Sequence, residues 1–407
     1  MSDTSLKPRN PGRAFTIALG LIALITPLAV HLFFPVIPAV KAALGLTDAR
    51  AQLTFSIALF GMAFATLIYG SLSDRYGRRP VLLSGLALFL FGSAVSAIAE
   101  TANALVLGRL VQAIGAGCAL TLVRAIARDA YRAEQLVTVI AYLTMFGTLG
   151  PMISPIIGGV LTDTLGWRSV FGFALIAGGA ITLTAYLAMY ETHPVANRNR
   201  SGASVAQSYV ALFRRLRFSA FVLTSGFNTG AFMVMASASA SLMTELLHRP
   251  ATEFGLYFLL FPLGFFTGNF ISTRIGNRVS SEAMILAGGL LAFASVSGQA
   301  LVLSSGFVVP LAFFVPGTFI TMAQGLAMPY AQVGAMAEIP RFAGTAAGVG
   351  VFMQNFGAAI FSQLYGILAD GTPRPMMMIA VLCGCLTLIT AAIPILQKRY
   401  GTIPPPG

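Results

Sequence analysis

The sequence predicts an all-α membrane protein in which twelve transmembrane helices form two pseudo-symmetric six-helix bundles. Three observations carry that prediction. Charged residues are only 9% of the 407 and hydrophobic ones 57%, with mean hydropathy +0.82. A soluble domain usually holds about 25% charged residues, so this chain has too little polar surface to face water. Apolar runs of about 20 residues, long enough to cross a hydrocarbon core about 30 Å thick, recur from end to end. Finally, "GSLSDRYGRRPVLLSG" from Gly70 returns in weaker form as "NFISTRIGNRVSSEAM" from Asn269, an offset of 199 residues and near half the chain. The spans must be helices, because an open strand edge in lipid leaves backbone groups unpaired. A duplication of this kind with a cavity between the copies is a transporter arrangement.

The elements follow in order. The first span, 14–40, contains "LAVHLFFPVIP", where Pro35 lacks the N–H that would bond the His31 carbonyl, so the helix frays at that turn. Spans two and three, 52–72 and 80–99, flank the Gly70 loop, in which Gly70 permits close helix contact and Gly77 a tight reversal. The fourth, 102–126, carries Arg109 and Gln112; the fifth, 136–162, holds "GTLGPMISPIIGG"; the sixth, 167–190, starts with "WRSVF". The longest polar interruption then divides the chain into an N-terminal bundle at 1–192, a cytoplasmic linker at 193–217 and a C-terminal bundle at 218–407. The later part of the linker, "SVAQSYVALFRRLRF", has helical apolar spacing and an arginine cluster. It reads either as an amphipathic helix on the anionic inner leaflet or as a solvated linker. The remaining spans are 218–243, 253–273, 282–304, 308–335, 344–369 and 376–397.

Charge placement sets the expected orientation. Nineteen of the 25 Lys and Arg residues fall on the side of the termini and five opposite, with Arg109 inside a span. That asymmetry puts both termini in the cytoplasm and accounts for the net charge of +12 without nucleic acid. The three cysteines, Cys118, Cys383 and Cys385, lie in apolar runs and read as packing residues, not as a disulfide framework or metal site. No nucleophile–base pair, metal cluster or nucleotide-binding loop is evident, so neither an enzyme nor a cofactor is expected. The expected partners are a small-molecule substrate, protons and the lipid bilayer.

The loop at Gly70 has the pattern Gly-x-x-x-Asp-Arg-x-Gly-Arg-Arg, formed by Gly70, Asp74, Arg75, Gly77, Arg78 and Arg79. Asp74 is an anion among arginines and can face a helix N-terminus; arginines alone would suffice for a topological anchor. This loop resembles the one between helices two and three of the major facilitator superfamily. The resemblance implies a cytoplasmic gate, with Asp129 in "RAIARDAY", after Arg128, as the partner carboxylate. The second copy has Thr273 where Asp74 stands. "GRLVQ" resembles the superfamily's helix-four element, which implies an Arg109 and Gln112 that face the cavity; snorkelling of Arg109 is the other reading. Gly150, Pro151, Pro155, Gly158 and Gly159 resemble the bending element of exporters in helix five, with Ser154 in place of its usual Gly; ordinary small-residue packing also explains them. "QLTFSIALFGMAFATLIYGSLSDRYGRRPVLL", "RAIARDAY" and "GTAAGVGVFMQNFGAAI" narrow the likeness to the Bcr/CflA branch of drug-resistance exporters.

In that branch an acidic residue precedes "IYLPALP" in the first span, and here His31 precedes "LFFPVIP". No Asp or Glu lies in the middle of any span. His31 is therefore the mid-span group able to titrate near neutral pH, and either couples transport, contacts substrate or ties two helices. Tyr142, Asn228, Gln324, Gln332, Gln354 and Asn355 are further polar or aromatic candidates for the cavity, each equally able to join helices. The expected function is proton-coupled export of small, partly apolar compounds by a monomer in a bacterial-type inner membrane. A dedicated transporter of one metabolite is the alternative. A non-transporting receptor leaves the repeat and the gate loop unexplained.

Overall fold

The computed structural model describes residues 11–193 and 205–400. Linker residues 194–204 and both extreme termini lie outside the described residues. Those described form thirteen helices and no strand: α1 Arg13–Leu44, α2 Asp48–Tyr76, α3 Arg78–Ala97, α4 Ala102–Ala130, α5 Ala133–Leu165, α6 Trp167–Ala188, the short α7 Val205–Phe213, α8 Leu216–Leu246, α9 Ala251–Ile275, α10 Ser281–Ser304, α11 Pro310–Ala337, α12 Ala343–Leu368 and α13 Arg374–Tyr400. All but α7 correspond to the expected spans. Their edges lie within about a turn of the expected ones, most beyond them and a few, such as the ends of α3 and α6, short of them. Eleven are long and apolar enough to cross a membrane. The twelfth, α12, has the length, but Gln354, Asn355 and Gln363 interrupt its apolar run.

Helix α1 is not uniform. It breaks at Leu24 and tightens to a 3₁₀ segment over His31–Val36. Pro35 removes one donor at that segment, which fits the tighter winding. By contrast, α5 stays helical through Pro151 and Pro155. Gly77 and Gly276 both adopt positive φ, at 102° and 52°, where α2 and α9 end, so both copies of the repeated loop use a glycine to leave the helix. Glycines let the helices touch: Gly92 and Gly115 face the α4 and α3 backbones respectively, and Gly264, Gly268 and Gly325 do the same between α9 and α11. Without a hydrophobic driving force between helices in lipid, such close backbone approach is what holds a bundle together.

With an even number of spans, the start of α1 and the end of α13 lie at one end of the molecule, the termini end. The other end is called the far end below.

Candidate functional site: a central cavity between two helix bundles

The bonds that join the two halves cluster at the far end. Lys41, at the end of α1, reaches Asp48 at 2.6 Å and Glu245 of α8 at 2.6 Å. Glu245 sits on a π-helical turn, Leu242–Leu246. The Asp163 carboxylate of α5 accepts from the backbone N–H of Ala251 at 3.2 Å and of Thr252 at 2.7 Å, and from the Thr252 hydroxyl at 2.7 Å. It therefore caps the first turn of α9 from the opposite half, where unpaired N–H groups and partial positive charge collect. The Gln363 amide of α12 donates to the Ala49 carbonyl at 3.1 Å and accepts from the Ser56 hydroxyl at 2.6 Å. Gly159 lies against the Ala251 carbonyl, and Gly255 against Pro155 and Ile156, so α5 and α9 meet backbone to backbone there.

Toward the termini this contact opens. A Cβ added to Gly147 of α5 or to Gly344 or Gly348 of α12 meets nothing within 4 Å. Between the tied end and the open end lies a cavity of about 160 Å³. Phe232, Phe258, Phe261 and Phe265 form its aromatic wall, and Gly147, Pro151 and Pro262 its small-residue side. The polar lining is His31, Thr148, Thr321 and Gln324. Phe258 and Phe261 stand edge to face at 5.0 Å, as do Phe232 and Phe261 at 5.5 Å.

The sequence-derived candidates divide. His31 and Gln324 line this cavity. The His31 ring lies edge-on to Phe34 at 5.8 Å and to Phe258 at 6.2 Å, and its Nδ1 is sealed without a partner. The Gln324 amide donates to the Thr229 hydroxyl at 2.8 Å. Arg109 and Gln112 correct the expectation of a cavity-facing pair: both are 1% exposed inside the first bundle. Arg109 donates to the carbonyls of Ala29 at 2.8 Å and Thr54 at 3.1 Å and to Gln112 Oε1 at 2.6 Å, and it lies 4.2 Å over the Phe33 ring. One carbonyl from beside the irregular turn of α1, one from α2 and an aromatic face together solvate the guanidinium where no carboxylate is present. Gln112 passes the chain on to Ser93 at 2.8 Å. Tyr142 is exposed and outside the cavity lining, and Asn228 is buried with an unpaired Oδ1. Gln354 has a sealed, unpaired Nε2, Asn355 donates to its own helix at Val351, and Gln332 lines a separate crevice near Phe221.

The residues of the Gly70 loop gather at the termini end, bonded within the first bundle. Arg78 pairs with Asp74 at 2.5 Å and Asp129 at 2.8 Å, and Glu191 accepts from the Arg78 and Arg79 backbone N–H groups at 2.9 and 3.3 Å. Arg79 also reaches the Tyr186 carbonyl at 2.9 Å, Arg75 lies over Tyr76, and Arg128 is exposed in the last turn of α4. A Cβ added to Gly70 would meet only Thr121, at 4.0 Å, so the close helix contact expected at that glycine is absent. The second half is clamped differently: Glu282 takes Arg217 at 2.8 Å and Lys398 at 3.3 Å, and Arg217 also meets Glu338 at 3.3 Å. Of the helix-five element, Gly150 packs on Pro27 and Gly158 on the Leu32 carbonyl and Pro35, so α5 is seated against the irregular part of α1.

A profile of the Major Facilitator Superfamily matches residues 19–362. The chain belongs to that superfamily. Among its relatives, the bicyclomycin resistance protein homolog of Haemophilus influenzae is 23% identical over 383 residues, covering 92% of this chain and 94% of the relative. Multidrug resistance protein D of Escherichia coli is 27% identical over 379 residues, covering 91% and 93%. A crystal structure of a D-xylose–proton symporter superposes with a TM-score of 0.74 at 15% identity, covering 96% of this chain and 98% of the other. As a superfamily member the chain is a multi-pass membrane transporter, not an enzyme.

Sequence reasoning missed the aromatic wall and the far-end ties. Phe258 and Phe261 are two among 31 phenylalanines and carry no local signal. Asp163 and Thr252 lie 89 residues apart and pair only through the docking of α5 on α9.

Proposed function

We propose that this protein exports small, partly apolar compounds by proton antiport, residues 1–192 rocking against residues 218–407 about the central cavity. The observation that carries the reading is that cavity itself. It lies between halves tied at the far end and apart at the other, as alternating access requires of one of its two states. The printed names of the relatives, which speak of bicyclomycin and multidrug resistance, favour efflux over carriage of one metabolite. The excess of Lys and Arg beside the termini favours a cytoplasmic open end in a bacterial-type inner membrane. His31 is the coupling group of this reading, since it is the titratable side chain among the described residues that line the cavity. Asp74, Arg75, Arg78 and Asp129 hold the termini end shut in the opposite state, as a monomer needs no partner subunit to do. The test is solute movement in proteoliposomes under an imposed pH gradient, with wild type and His31→Ala. A gradient-driven wild type and a mutant indifferent to the gradient are expected. A mutant driven as strongly as wild type removes His31 from coupling, and no solute movement in wild type over a broad panel removes the transport reading.

A further inference from the structure

We infer that the cavity takes an uncharged aromatic ring bearing a hydroxyl group and turns away permanent cations. The inference rests on the transport reading and names the substrate class of the same site.

Size comes first. A cavity of about 160 Å³ is close to the ~150 Å³ apolar cavity that accommodates benzene. One ring fits, with any larger group projecting toward the open end. Phe261 already stands edge to face with both Phe232 and Phe258, so the three rings offer a planar guest both faces and edges.

The polar lining then selects the substituent. The hydroxyl protons of Thr148 and Thr321 are committed to their own helices, at Thr144 and at Gly317 and Thr318. His31 and Gln324 retain unspent capacity. Because His31 Nδ1 is sealed from solvent, Nε2 is the nitrogen a ligand can reach. Gln324 spends one of its two amide N–H groups on Thr229 and keeps the other as a donor and its carbonyl oxygen as an acceptor. A hydroxyl both donates and accepts, so it satisfies the Gln324 carbonyl and either tautomer of His31.

Charge excludes the other class. No carboxylate lines the cavity among the described residues. Arg109 is held by neutral partners alone, one of them the Ala29 carbonyl two residues before His31. A permanent positive charge thus backs the turn that carries His31. A cationic guest would lose its water against an apolar wall, with no anion to replace it.

Three compounds of one shape test this on the purified full-length protein by calorimetry: 4-tert-butylphenol, 4-tert-butylanisole, and 4-hydroxyphenyl-trimethylammonium. The phenol should bind tightest. Masking its hydroxyl as the ether should weaken binding about tenfold, and the cation should bind at least about a hundredfold more weakly. His31→Asp should strengthen cation binding by at least about tenfold; Gln324→Leu, which adds no charge, should bring phenol and ether together. A wild-type protein that binds the cation as tightly as the phenol overturns the inference and leaves the transport reading standing. So does equal binding of phenol and ether. Failure of all three to bind wild type also overturns it; only the absence of solute movement in proteoliposomes reaches the transport reading itself.

Discussion

Asp163→Asn should release the far end. The carboxylate of α5 accepts three hydrogen bonds from the first turn of α9, two of them at 2.7 Å. The amide keeps one acceptor oxygen, loses the charge and turns an NH₂ group toward backbone N–H groups. A charge-assisted bond contributes about 1.5–3 kcal/mol and a neutral one about 0.5–1.5, while an anion at a helix N-terminus adds about 0.3–1. Asp163 is exposed, so solvent screening brings the net loss to about 1–2 kcal/mol. The tie exists only while the halves are closed there, so that loss falls on one state. It shifts the closed-to-open ratio at the far end by about five- to thirtyfold. Spin labels at Glu100 and Ser305, both exposed and on opposite halves, would report the shift as a longer-distance population, in a background where Cys118, Cys383 and Cys385 are replaced. A distance distribution unchanged from wild type would refute the reasoning and leave Asp163 as a mere cap.

Three further outcomes follow from the packing. Arg109→Lys should cost about 1–3 kcal/mol, read as a lower Tm in detergent, because one ammonium cannot meet Ala29, Thr54 and Gln112 together as the guanidinium fork does; an unchanged Tm would mean that the buried network contributes nothing. Gly159→Val places side-chain carbon against the Ala251 carbonyl, so it should cost the far-end-closed state about 1–3 kcal/mol and lengthen the distance between spin labels at Glu100 and Ser305. Glu282→Gln frees Lys398 and leaves Arg217 with Glu338 alone, and with a carboxylate side chain only 11% exposed the loss should be about 1–3 kcal/mol in thermal unfolding, with no change in far-end distances.

What the sequence made legible was periodic or local. Long apolar runs gave twelve helices, and Gly77 and Gly276 marked a helix exit twice because only glycine accepts their φ readily. Pro35 announced the irregular turn at His31. Arg109 misled, because the rule that a charge in a span faces a cavity ignores backbone carbonyls as partners. Here the first helix supplies one from Ala29 and the second helix another from Thr54. The Asp163 cap and the aromatic wall were not legible, since both are properties of how α5, α8 and α9 meet and not of any one of them.

The polarity of α12 has a consequence for how the protein is made. Gln354, Asn355 and Gln363 place three uncharged amides in its apolar run, a cost that a membrane insertion machinery weighing segments one at a time meets within that segment. Its compensation sits in the other half: Gln363 finds Ser56 and Ala49 on α2, and Phe352 and Phe356 find Phe64 and Phe60. The N-terminal bundle, synthesised first, is therefore a template for the penultimate helix. Expressed by itself, the C-terminal half should thread α12 poorly and be degraded, and co-expression of the N-terminal half should rescue it.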